Sequence, residues 1–232
     1  PTACGLEKAS SAIIQWQNQY DGYIWVASRD QGIPPKILKT LLGFESQFWP
    51  GNSRFYLDEY GLGQINQLGM DVLLRNDARF YQQVCSTIFA DCSSPYLGLE
   101  ASQQRLIRGA AASLVDASCA DCPYGVDLDR AKQSVDIISR LLKANCQQVD
   151  TILGADISDA NYEDLWRFTL SNYHSGVSCF QNAVSDVKDK DQPITWENLS
   201  KQLKCQGGVD YVDGFMDDLF SFEFYLYEPG ND

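Results

Sequence analysis

Apolar residues recur at three- and four-residue spacing along almost the whole chain, and no segment alternates for long as a half-buried strand does. Residues 6–20 read as an amphipathic helix with Ile13, Ile14 and Trp16 on its apolar positions. Gly32-Ile33-Pro34-Pro35 is punctuation, and proline suits the first turn of the helix that follows, with Ile37, Leu38, Leu41, Leu42 and Phe44. Trp49-Pro50-Gly51-Asn52-Ser53 closes it and opens a polar, aromatic loop. A further helix starts near Asn66 and carries Met70, Val72, Leu73 and Leu74. Helical patterns continue over 78–90, 99–117, 128–145, 161–172, 176–187, 196–204 and 209–226. A short hairpin between 51 and 64 is the one strand signal. There is no internal repeat or Pro/Ser-rich linker, and 232 residues with 44% apolar side chains suffice for one domain. The expected architecture is a mostly α single domain, 1–232.

Charge excludes several classes of partner. Net charge is −13, which opposes a nucleic-acid binder and electrostatic docking on anionic lipid. Residues 1–115 hold 9 basic and 10 acidic side chains, whereas residues 116–232 hold 9 and 21. No basic residue follows Lys204, while seven acidic ones do, from Asp210 to Asp232. This reads as a solvated acidic face or as a surface for a cation or partner. The longest wholly apolar stretch is the five residues Tyr23 to Ala27, so no membrane span is expected.

Eight cysteines are scattered at Cys4, Cys85, Cys92, Cys119, Cys122, Cys146, Cys179 and Cys205. Cys119-Ala-Asp-Cys122 is the one C-x-x-C and His174 the one histidine, which is poor material for a zinc site. Disulfides, and with them an oxidising, extracytoplasmic compartment, fit better. The short-range pairs to expect are Cys85 with Cys92, Cys119 with Cys122, and Cys179 with Cys205. No basic segment followed by an apolar one opens the sequence, so export would rest on a leader removed before Pro1.

One stretch departs from a plain core helix: Leu42-Gly43-Phe44-Glu45-Ser46-Gln47-Phe48-Trp49-Pro50. Glu45 follows an apolar run and precedes two aromatic residues. Desolvation there would raise its pKa and let it donate a proton to a leaving-group oxygen. Taken alone, it also reads as an ordinary helix-end glutamate. Sixteen residues on comes Gly61-Leu62-Gly63-Gln64, whose glycines suggest a backbone brought close to something and whose glutamine can serve a sugar or amide. Much later, Asn172-Tyr173-His174-Ser175-Gly176 forms a polar, small-residue turn between apolar helices. A tyrosine there can bond a catalytic carboxyl while its ring packs.

In order and spacing, these three pieces resemble the lytic transglycosylase and goose-type lysozyme superfamily. Its pattern is an E-S dipeptide at a helix end, G-L-M-Q about fifteen residues on, and a late A-Y-N-x-G turn. Here glycine replaces methionine at Gly63, and His174 stands where the family has asparagine. Ser53 is the nearest match to the family's loop serine. The resemblance spans about 34–176 and leaves an acidic helical C-terminal part, 177–232, outside it. It implies a lysozyme-like fold with additional helices. It also implies an enzyme that cleaves the β-1,4 bond between N-acetylmuramic acid and N-acetylglucosamine in peptidoglycan. Glu45 would be the single acid/base, forming a 1,6-anhydro product. Ser46, Gln64, Asn172, His174 and Gly61 would serve substrate binding, and Tyr173 would hold Glu45. Asp58 and Glu59 offer a second carboxylate for hydrolysis, as in a lysozyme, or they are loop residues in solvent. The same resemblance implies a monomer that needs no cofactor or metal. Two other classes stay open: an inactive glycan-binding domain that kept the fold, and an α-helical interaction protein. Residues 186–197 have acids at both ends, but Lys188, Lys190 and Asp191 spoil a calcium loop. No phosphate-binding loop motif is present.

Overall fold

A computed structural model describes residues 3–51, 58–219 and 221. They form eleven α-helices: α1 (Ala3–Asn18), α2 (Asp21–Gln31), α3 (Pro35–Ser46), α4 (Gln67–Asn76), α5 (Ala78–Cys85), α6 (Ala101–Ser113), α7 (Leu128–Leu153), α8 (Tyr162–Ser175), α9 (Val177–Lys188), α10 (Trp196–Ser200) and α11 (Gly208–Asp218). Short 3-10 turns lie at Tyr96–Gly98, Pro123–Gly125 and Gly154–Asp159. Among the described residues there is no strand, only isolated bridges pairing Tyr60 with Ile65 and Ser118 with Val126. The chain is therefore mostly α. Of the hairpin expected over 51–64, residues 52–57, and so Ser53, lie outside the described residues, and the described part carries the single Tyr60–Ile65 bridge. Among the described residues no helix is long and apolar enough to cross a membrane.

The helix ends follow from local chemistry. Pro35 opens α3 behind Pro34, using proline where its missing N–H costs nothing. Asp77 caps α5 by accepting the Phe80 N–H, and Thr195 caps α10. Asn161 and Asp164 form a reciprocal capping box at the start of α8. Several expected boundaries move. The 78–90 helix stops at Cys85, the 128–145 helix continues to Leu153, the 196–204 helix stops at Ser200, and α11 ends at Asp218. Residues 222–232 lie outside the described part. Helix α2 was not expected. Its inward residues Ile24, Ala27 and Ser28 do keep helical spacing, but exposed Trp25 and Val26 blur the pattern.

The chain divides into two compact units. The first comprises Pro1–Asn66, Ala112–Ser139 and Asp218–Asp232, and the second Gln67–Ala111 and Arg140–Asp217. In the first, Ile24, Leu38, Leu41, Leu42, Phe48 and Leu62 are wholly buried, with Val115, Val126 and Val135. Lys39 is buried beside them at 1% exposure. Its Nζ lies 2.7 and 2.9 Å from the two carboxylate oxygens of Asp21 and donates to Asn18 Oδ1. In the second unit, Met70, Leu73, Phe80, Leu142, Phe168, Phe180, Val187 and Phe215 fill the core. Arg140 pairs with Asp77, Arg108 with Asp71, and Arg167 with both Glu163 and Asp213.

Three disulfides form, and they are the three expected: Cys85–Cys92, Cys119–Cys122 and Cys179–Cys205. Such bonds persist in oxidising surroundings. Cys146 is an exposed free thiol, and the Cys4 side chain is outside the described ones.

Removing one partner of a buried ion pair strands the other. Asp21→Asn is expected to lower stability at neutral pH by about 3 kcal/mol, read by denaturant unfolding. Burial already holds the Lys39 ammonium below the ordinary lysine range, against the opposing pull of Asp21. The folded state therefore binds this proton more weakly than the unfolded chain does. Stability lost in the variant should return in part as pH rises toward the lysine range. A variant as stable as the wild type at pH 7 would refute this account of the pair.

Candidate functional site

Glu45 is the penultimate residue of α3 and is half-buried. The helix does not end on glycine. Gln47 (φ 52°) and Phe48 (φ 63°) both take left-handed backbone, the Gln47 N–H donating to Gly43 O at 2.9 Å and the Phe48 N–H to Leu42 O at 3.2 Å. Left-handed backbone costs a non-glycine residue roughly 1–2 kcal/mol. Two contacts offset that cost. Phe48 is only 1% exposed, and Trp16 Nε1 donates to Gln47 O at 2.8 Å. The chain thus reverses immediately after Glu45.

Ser46 is 5% exposed, with its hydroxyl 3.0 Å from Leu42 O and 2.8 Å from Leu62 O. The second contact joins the end of α3 to the Gly61–Gln64 turn, sixteen residues on. That turn is closed by two bonds, Tyr60 N–H to Ile65 O at 3.0 Å and Ile65 N–H to Tyr60 O at 2.9 Å. Gln64 is 5% exposed and left-handed (φ 45°), and its Nε2 donates to Gly51 O at 2.9 Å and Gly61 O at 2.7 Å. These four hydrogen bonds from Ser46 and Gln64 all end on backbone carbonyls. Gly61 (φ 70°) packs so closely that a Cβ there would lie 2.2 Å from Val115 O. The backbone that the glycines bring close is the chain's own.

Asp58 is exposed and Glu59 half-buried, both in the first unit. Asn172, Tyr173 and His174 are on α8 in the second. Asn172 is buried, and its Nδ2 donates to Asn145 Oδ1 and Gln148 Oε1, each at 2.8 Å. Tyr173 is half-buried. His174 is exposed and stacks on Tyr211, with ring centroids 3.9 Å apart and planes 12° from parallel. The structure thus joins the first two motif segments directly and puts the third in the other unit.

Sequence reasoning missed the residues that shape the end of α3. Trp16 read only as an apolar helix position, and Gln47 and Phe48 carry no turn signature. Among the described residues no three His, Cys, Asp or Glu side chains gather to hold a metal.

Two glycine-to-alanine changes should have opposite signs. Gly61→Ala meets a carbonyl oxygen and a left-handed backbone, and is expected to lose about 3 kcal/mol or more. Gly109→Ala, inside α6 with nothing within 4 Å of the added carbon, should gain about 0.5–1 kcal/mol. Denaturant midpoints of the two variants check both, and a neutral Gly61→Ala would refute the close approach.

No protein-family model, curated protein or solved structure matches this chain.

Proposed function

We propose that this protein cleaves peptidoglycan between N-acetylmuramic acid and N-acetylglucosamine, acting as a lytic transglycosylase with Glu45 as its acid/base. The observation that carries the reading is the 2.8 Å contact from Ser46 to Leu62 O. It links the helix end bearing a half-buried glutamate to the glycine-glutamine turn, the two segments that the motif pattern pairs. Glu45 would protonate the glycosidic oxygen, and the substrate's own acetamido group would stabilise the oxocarbenium-like state. Glu45 would then take the proton from the muramyl C6 hydroxyl as that oxygen closes on C1. No water enters, and the product carries a 1,6-anhydro ring. The left-handed turn after Glu45 contributes by fixing the direction of the helix end. Three disulfides agree with action outside the cytoplasm, where this substrate lies.

Mass spectrometry of muropeptides released from purified sacculi tests the proposal. The wild type is expected to release anhydro-muropeptides, and Glu45→Gln to release at least about 100-fold less. Reducing-end products would replace the transglycosylase with a hydrolase and turn attention to Asp58 and Glu59. Equal release by the two proteins would remove Glu45 from the chemistry.

A further inference from the structure

A cavity of about 1040 Å³ opens in the first unit between α1 and the segment around residues 122–129. This is the upper end of the range for ligand clefts, roughly 300–1,000 Å³. Glu45 is not among its lining residues. Its walls include Trp16, Ile14, Tyr124 and Leu128, and three of these are unusually open to solvent for apolar side chains: Ile14 at 43%, Leu128 at 51% and Tyr124 at 78%.

Tyr124 is held out at a conformational cost. It sits at φ 57°, followed by Gly125 at φ 73°, so two consecutive residues are left-handed. The Cys119–Cys122 disulfide and two backbone bonds, Cys119 N–H to Gly125 O at 2.9 Å and Gly125 N–H to Cys122 O at 3.0 Å, hold the loop in that shape. At 78% exposure the phenol ring gains little from burial in the fold. Strain that presents an exposed aromatic face to a cleft points to a ligand.

The lining selects the chemistry of that ligand. It contains Asp127, Asp129 and the amide of Gln15, and no Lys, Arg or His. Asp127 already accepts the backbone N–H groups of Asp129 and Arg130 at the start of α7 and lies 3.7 Å from the Arg130 guanidinium, while the Asn18 and Gln19 amides bond Ile14 O, Lys39 and Trp16 O, which leaves Asp129 and Gln15 for a ligand. Asp129 has no cation among the lining residues, and its carboxylate disfavours phosphate, carboxylate and other anions. Aromatic faces accept the apolar C–H face of a pyranose ring, while a carboxylate and an amide suit its hydroxyl and acetamido groups. Within a peptidoglycan strand, the muramyl residues with their anionic peptide stems would be disfavoured and the uncharged N-acetylglucosamine residues accepted.

We propose that this groove is a holding site for N-acetylglucosamine-containing glycan, separate from the cleavage site. The choice of glycan rests on the reading of the protein as a peptidoglycan-cleaving enzyme. Trp16 serves both regions: it lines the groove, and its indole N–H holds the Gln47 carbonyl two residues beyond Glu45. A strand held in the groove would therefore lie close to the end of α3.

The test uses chitotetraose as the probe, in Glu45→Gln protein so that nothing is cut, with tryptophan fluorescence and sacculus pelleting as readouts. Adding Tyr124→Ala should weaken both by about tenfold or more. Tyr124→Trp, which keeps a ring face, should restore them, and matching melting temperatures would show that all three proteins are folded. Undiminished binding with Tyr124→Ala would overturn the proposal. So would a concentration-dependent dimer that Tyr124→Ala dissociates without changing sugar binding, since the occupant would then be a second copy of the chain. Failure of the underlying reading is distinct: the wild type would release no muropeptides while Tyr124-dependent sugar binding persisted.

Discussion

The Lys39 ammonium draws three helices of the first unit to one point. Its bonds reach Asn18 at the end of α1 and Asp21 at the start of α2, while Lys39 itself is in α3. A buried pair of this kind is a weak source of net stability, because desolvation consumes most of its Coulomb attraction. What it supplies is register. Any rotation of α3 would leave a charge buried without its partner, a state several kcal/mol less favourable. Glu45 lies six residues further along the same helix, so the pair also sets the face on which Glu45 emerges.

The other end of α3 is fixed by different means. Two left-handed residues together cost on the order of 2–4 kcal/mol. That strain is tolerable because Phe48 is driven into the core, Trp16 holds Gln47, and the Ser46 hydroxyl reaches Leu62. A glycine at 47 would relieve strain but loosen the turn. Conformational strain of this kind persists only where the surrounding structure over-determines it. The helix bearing Glu45 is therefore pinned at both ends, by charge at one and by a strained, packed turn at the other.

How much of this was legible in the sequence depends on the distance over which each signal acts. Helical periodicity is local, so ten of the eleven helices could be placed, and α2 escaped because Trp25 and Val26 are apolar without being buried. Disulfides were legible where the partners are close in sequence. The turn at 47–48 was not, because its geometry comes from tertiary contacts with Trp16 and the core and not from turn residues. Burial shows that Ser46 and Gln64 direct hydrogen bonds to backbone carbonyls, information that no residue type carries by itself. Asn172 is similar, its amide being engaged by two amides of α7.

The separation of roles within the motif segments follows from these bonds. Ser46, Gly61 and Gln64 build the scaffold: one hydroxyl, one close backbone approach and one amide lock the α3 end to the 60–65 turn. Glu45, half-buried, lies between this scaffold's Ser46 and the last apolar turn of α3. Loss of the Ser46 hydroxyl or of the Gln64 amide N–H groups would thus act on Glu45 through geometry, because these donors are bonded to the protein's own carbonyls. The same logic separates the aromatic residues. Phe48 is spent on the core, Trp16 is shared between the turn and the groove, and Tyr124 has 78% of its surface left for something outside the fold. Burial, more than residue type, divides the side chains that build this unit from those able to meet a ligand.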